Sequence, residues 1–460
     1  MKRRWCVFAG VMVLVLVLLA LPLDGAAFAK RQITIAHYML DVYNKQLDIV
    51  IERYQKSHPD VAVKYMTIPS TEYHTWHLTQ LAGGDPPDIM QNNWAAEDFR
   101  KGLIVSLDEY ISKVNPYTGN IWKDMFEPGS LDSFVSRDPV TRKLIGIPVN
   151  WSSFAFFYNK DVFKKLGLAP PKTWAEWFQV AEKLKAADYI PQAATFTGGP
   201  EVWSVGYIEG TMWQTWVPKL DVLQPNGQVD LNELVRAIQL DLIKVDDPQF
   251  RAPYEFLKKW SEYWQAGAVG ATDHSRLWMT GKAAFFMAGS WALQSIEENK
   301  DRGFDYGIFV FPDITRETSP YATGSTCRPG EAGITWSIPA ATVKRGNLDL
   351  AIDFLQFMTS PENATVLEKA YNMPPIIKGV EPDNPKVKAF VAPEANPRIQ
   401  LSLTGPFGDM KFKNLQLLLS GGLTMDKFVQ TLGREMKRAA EQLARENNWT
   451  SQNNWGAPSK

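Results

Sequence analysis

The stretch Thr280-Gly281-Lys282-Ala283-Ala284-Phe285-Phe286-Met287-Ala288-Gly289-Ser290-Trp291 says most about how this chain folds. A turn-prone Thr-Gly-Lys leads into an unbroken apolar run, the pattern of a strand buried on both faces. Gly289-Ser290 breaks the run, and apolar residues at helical spacing continue to Ile296. The stretch predicts a strand ending in a tight turn, with Trp291 at its carboxyl end. In open α/β sheets, ligands bind in the crevice outside the carboxyl ends of the strands. Trp291 is therefore a candidate contact for a small molecule.

The amino-terminal part of the chain repeats the strand–turn–helix theme. Residues 33–38 read as a strand, and Leu47, Val50, Ile51 and Tyr54 then fall at helical spacing until Pro59. Residues 61–68 form a second predicted strand, 71–81 a helix closed by Gly83-Gly84, and 88–91 a third strand. A βαβαβ opening points to a doubly wound, largely parallel sheet. Further on, 146–151 and 154–158 are extended and aromatic. Thr173 and Glu176 make a capping box for a helix with Trp177, Phe178, Ala181 and Leu184 on its buried stripe. The Trp-rich segment 195–218 reads as loop and short helix, 380–397 as an exposed Pro-rich connection, and 425–447 as a long amphipathic helix.

At 460 residues, two lobes are expected. With 49 Lys and Arg against 50 Asp and Glu, the net charge of −1 gives no electrostatic reason to expect nucleic acid or an anionic membrane surface. Residues 1–29 read as an export signal: Lys2, Arg3 and Arg4 precede an apolar run, and Ala27-Phe28-Ala29 fits a cleavage site. The competing reading is a retained membrane anchor, because the run approaches the roughly 20 residues that span a bilayer. Cys6 precedes the apolar run, where a lipid-attachment cysteine would have to follow it. Cys327 is then alone and reads as a plain buried thiol.

Sequence signatures of catalysis are scarce. The chain has no HExxH, no Gly-x-Ser-x-Gly, no P-loop and no Gly-x-Gly-x-x-Gly. His74 and His77 could share a helix face as metal ligands do, but nothing nearby completes a site, so they read as solvated. Neither a metal nor a cofactor is expected. The 17 tryptophans are the conspicuous chemistry. Indole faces suit the C–H surfaces of sugar rings, and the indole N–H can bond a hydroxyl. Trp94, Trp151 and Trp291 stand at predicted strand ends. Trp203, Trp213, Trp216 and Trp336 also fall outside periodic core patterns.

A series of landmarks stands in order along the chain: Leu81-Ala-Gly-Gly-Asp-Pro-Pro-Asp-Ile89, Gly102-Leu-Ile-Val-Ser-Leu-Asp-Glu-Tyr110, Gly146-Ile-Pro-Val-Asn-Trp151 with Phe157-Tyr-Asn-Lys-Asp-Val-Phe163, and Pro171-Lys-Thr-Trp174. The opening stretch follows, then Asp305-Tyr-Gly-Ile-Phe-Val-Phe-Pro312, residues 333–340 and Ala351-Ile-Asp-Phe-Leu-Gln-Phe357. In these motifs and their order the chain resembles, over nearly all of residues 30–460, the extracellular solute-binding proteins of carbohydrate ABC importers, the maltose-binding-protein-like group.

The resemblance implies a two-lobed, type II periplasmic-binding-protein fold of class α/β, each lobe a mostly parallel sheet flanked by helices, with the ligand cleft between. It implies a signal segment 1–29, a first lobe from 30–149 and 331–378, and a second from 150–330 and 379–460. It carries ligand contact to His37, Tyr38, Asp41, Asn92, Asn93, Trp94, Trp151, Ser152, Trp203, Trp291, Tyr371 and Asn372. The implied function is non-enzymatic: a monomer in the periplasm or outside the cell binds a sugar, an oligosaccharide by its wealth of Trp. Hinge closure then delivers the sugar to membrane permease subunits and their ATPase. An exported carbohydrate-active enzyme, and a binding protein for another polar solute or for a membrane sensor, are the competing functions.

Overall fold

Two sheets divide the computed structural model, which describes residues 30–38, 41–92, 94–133, 135–390 and 399–457. The expectations for the segment 1–29, for Asn93 and for the Asp41 side chain fall outside the described residues. The first sheet contains β1 (Arg31–His37), β2 (Val61–Thr67), β3 (Ile89–Gln91), β4 (Ile147–Pro148) and, from much later in the chain, β11 (Thr335–Ser337). Its order is β2-β1-β3-β11-β4. The second contains β6 (Phe154–Asn159), β7 (Ile190–Ala193), β8 (Ala283–Gly289) and β9 (Tyr306–Phe309), ordered β7-β8-β6-β9.

Each sheet is mostly parallel, as expected, with all strands but one running the same way. β1 is parallel to β2 and to β3, and β7 to β8. The strands that arrive from the other lobe run the opposite way: β11 against β3 and β4, and β6 against β8 and β9. A strand that enters a sheet from its ligand-facing end must run against strands whose carboxyl ends lie there, so the reversal follows from the crossing.

Each sheet has its own core. In the first, Ile33, Ile35, Ile89, Trp122, Trp336, Phe354 and Ile376 pack together. In the second, Trp174, Trp177, Phe256, Trp260 and Phe285 form a dense aromatic cluster, with Trp174 and Trp177 centroids 5.1 Å apart. The helix Trp174–Ala186 that supplies two of these rings starts at the predicted capping box, with Glu176 N–H donating to Thr173 Oγ1 at 3.2 Å. The expected exposed connection 380–397 is instead pinned at its centre. Val387 and Phe390 are buried beside Phe157 and Trp278, while 391–398 fall outside the described residues.

The chain passes between the sheets beside Asn150. Gly333 N–H donates to the Asn150 carbonyl at 2.8 Å, Ile334 N–H to Asn150 Oδ1 at 2.9 Å, and Val149 N–H to the Ile334 carbonyl at 3.0 Å. On the other side Asn150 bridges Pro375, and Trp151 N–H donates to the Pro374 carbonyl at 2.8 Å. β5 (Trp151–Ser152) and β10 (Glu331–Ala332) continue this ribbon as an antiparallel pair. Gly333 is required there, because a Cβ would collide with Asn150 Oδ1.

Asn150→Ala removes the acceptor of a buried Ile334 N–H, which should lower unfolding free energy by about 1–3 kcal/mol. Urea denaturation measures it, and a change near zero would show that Asn150 does not hold the ribbon.

Candidate ligand-binding site

The register fixes where a cleft must lie. β11 enters the first sheet directly after the ribbon, and its Trp336 pairs with Gln91 at the carboxyl end of β3. β6 leaves the ribbon at Phe154, which pairs with Gly289 at the carboxyl end of β8. The carboxyl ends of β1, β3, β7 and β8 therefore all meet the crossing, and the turns that follow them face the gap between the lobes.

On the first lobe the turn after β3 is built by Asn92. Its backbone N–H donates to the Thr335 carbonyl at 2.8 Å, its Oδ1 accepts from Trp94 N–H at 2.8 Å, and its Nδ2 donates to Asp98 Oδ2 at 3.2 Å. The side chain is buried, so it shapes the turn and leaves the indole of Trp94, 41 % exposed, as the surface. Trp94 lies on His74, with centroids 4.4 Å apart, and beside His77 at 6.0 Å. The two histidines are thus not both solvated, as expected from sequence. His77 is fully buried, with Nε2 3.2 Å from Asp98 Oδ2. Tyr38, after β1, sits edge-on to Tyr73 at 5.0 Å, and Tyr73 Oη donates to the carbonyls of Ala36 and Gln91, which ties the ends of β1 and β3 together.

On the second lobe Gly289 has no Cβ because the Trp291 ring occupies that space. Trp291 is half-buried and meets Trp203 at 6.0 Å with 61° between the ring planes. Trp203 is 48 % exposed, on the helix Pro200–Met212, where a loop and short helix were expected. This helix is buried on nearly every side, so no apolar stripe marked it. Its start is anchored to β7: Gln192 Nε2 donates to Glu201 Oε1 at 2.9 Å, and burial pushes the Glu201 carboxyl up to about 8.

Other expected contacts lie deeper. His37 is fully buried among Tyr43, Tyr65 and Trp336. Tyr371 is buried and stacks on Tyr43 at 5.2 Å. Asn372 takes the left-handed conformation (φ 47°) that ends its helix, a turn role. Trp151 is buried in the ribbon and packs with the first core, and Ser152 beside it is half-exposed. Trp213 and Trp336 are fully buried core residues. His77 and Asp98 were missed as a pair, since only the fold brings them together. Among the described residues, no group of three or more His, Cys, Asp or Glu is placed to hold a metal, and no helix is long and apolar enough to cross a membrane.

The family profile described as "Bacterial extracellular solute-binding protein" matches residues 43–365. The chain belongs to this family. Relatives of this solute-binding protein include the "Multiple sugar-binding protein" of Streptococcus mutans, 26 % identical over 73 % of this chain and 72 % of that one. The "sn-glycerol-3-phosphate-binding periplasmic protein UgpB" of Escherichia coli K12 is 26 % identical over 78 % of this chain and 77 % of its own length. Among solved structures, a "Chitin oligosaccharide binding protein" superposes with a TM-score of 0.66 at 19 % identity, covering 89 % of this chain and 100 % of that one. Maltose-bound T. maritima MalE3 gives 0.63 at 18 % identity, covering 88 % and 99 %. The fold is the two-lobed, type II α/β architecture of these proteins.

Burial lowers the His37 imidazole from 6.5 to about 4. The folded protein holds it neutral, so below pH 6.5 the unfolded chain takes up the proton first and stability falls until the folded value is reached. Between pH 7 and 4.5 this should cost roughly 2–3 kcal/mol. His37→Phe should reduce the stability difference between those two pH values by that amount in urea titrations. An unchanged difference would mean that His37 titrates normally.

Proposed function

We propose that this solute-binding protein captures an oligosaccharide in the cleft, outside the cytoplasmic membrane, and passes it unchanged to the membrane subunits of an ABC importer. One observation carries the reading: the turns after β3 and β8, at the crossing ends of the two sheets, each present a tryptophan, Trp94 and Trp291, and Trp203 adds a third. Indole faces in that position match the apolar faces of sugar rings, and Tyr38, Ser152 and the backbone of the turns supply polar partners. Closure turns the lobes about the ribbon at Asn150, bringing the two walls onto the ligand. Residues 1–29 act as the export signal.

The relatives named for sn-glycerol 3-phosphate raise a second ligand class. A phosphate ester calls for Arg or Lys in the site. Trp94, Trp203, Trp291, Tyr38 and Ser152, the side chains offered to the ligand here, carry no positive charge, which favours the sugar.

Thermal unfolding with maltotriose, raffinose, chitotriose and sn-glycerol 3-phosphate separates these. A ligand at 100 times its dissociation constant adds about 2.7 kcal/mol, a plain shift in Tm. We expect the shift from an oligosaccharide that is recovered intact. A shift with the phosphate ester alone contradicts the reading. Trp291→Ala should weaken that sugar about tenfold with little change in Tm. A loss of several kcal/mol in stability at unchanged affinity would instead mark Trp291 as core.

A further inference from the structure

Trp94 is a large, exposed ring at a turn, and such a side chain ordinarily samples several rotamers. Ordering it on binding would weaken affinity by a few-fold to about tenfold. Here both its backbone and its ring are already held. The Asn92 Oδ1 bond fixes the backbone, and the His74 ring lies 4.4 Å beneath the indole at 42°. His74 is itself placed by the helix Ser70–Gly83, whose buried face includes Tyr73, His77 and Leu81. The turn and this helix are joined through Asp98, which accepts from Asn92 Nδ2 and lies 3.2 Å from His77 Nε2. The helix carrying His74 and the turn carrying Trp94 are therefore registered to each other by a buried carboxylate.

We propose that His74 is a positioning residue of the ligand site: its imidazole backs the Trp94 indole and holds it as a fixed wall of the first lobe, so that the ring-shaped ligand meets one prearranged face. The inference rests on the sugar-binding reading for its consequence in affinity, but not for the ring arrangement itself. A flat ring at residue 74 is what the role demands. A small side chain there removes the nearer of the indole's two ring neighbours, leaving His77 at 6.0 Å, and spares the turn's hydrogen bonds, because His74 makes none of the polar contacts among Asn92, Asp98 and His77.

The test uses full-length protein labelled with 5-fluorotryptophan, with the Trp94 resonance assigned from Trp94→Phe, in wild type, His74→Ala and His74→Phe. His74→Ala should move or broaden the Trp94 fluorine line and leave Tm unchanged. Titration with whichever of maltotriose, raffinose or chitotriose binds the wild type should show an affinity loss on the order of three- to tenfold. His74→Phe should restore both the line and most of the affinity. An unaltered Trp94 line in His74→Ala overturns the proposal, as does unchanged affinity for a sugar whose binding Trp94→Ala weakens. If none of the three sugars binds, the sugar reading fails, and the fluorine line alone decides whether His74 positions Trp94.

Discussion

The ribbon at Asn150 is the constraint on which the rest of the molecule depends. Residues 149–152 lie between 331–334 on one side and 374–375 on the other; Asn150 accepts from Gly333 and Ile334 through its carbonyl and Oδ1, and its backbone bridges Pro375. The ribbon decides which end of each sheet faces the other lobe. It therefore sets the turns after β3 and β8, and not the opposite ends, beside the crossing. It also explains the one reversed strand in each sheet, because β6 and β11 start where the parallel strands stop. A short ribbon of three segments can bend with few backbone changes, while the two aromatic and aliphatic cores on either side stay rigid.

Much of this was legible in the chain because local rules and the fold agreed. The run 283–289 is a fully buried strand, Gly289 makes room for Trp291, and Thr173 and Glu176 cap their helix as the spacing predicts. The failures have one physical origin, since single-sequence patterns report faces and ends but not burial by distant segments. The helix Pro200–Met212 is covered all round and shows no apolar stripe. His77 read as solvated because Asp98, the group that makes its burial tolerable, comes from another helix. Phe390 read as loop because its partners, Phe157 among them, lie on the sheet.

For the candidate site, the sequence marked the segments at the strand ends more surely than the exposure of each side chain. Tryptophan alone was a poor guide: Trp122, Trp174, Trp177, Trp213, Trp260, Trp278 and Trp336 are fully buried, whereas Trp94 at its turn and Trp203 on the helix Pro200–Met212 are exposed. Position relative to strand ends singled out Trp94 and Trp291, but it also selected Trp151, His37 and Asn92, whose side chains are buried. Strand-end position identifies which segments border a cleft. Whether a given side chain faces the ligand or braces the turn depends on hydrogen bonds such as Asn92 to Asp98, which no spacing rule encodes.

Closure of the two walls around the Asn150 ribbon is the central claim, and the distance between the lobes tests it most directly. Spin labels at Lys101 and Gln294, both exposed on segments that follow the Trp94 and Trp291 turns, in a Cys327→Ser background, report that distance by pulsed dipolar spectroscopy. Addition of a sugar that calorimetry shows to bind should replace the ligand-free distance distribution with a shorter one. A distribution unchanged at saturating sugar would contradict hinge closure and place the ligand somewhere other than between the lobes.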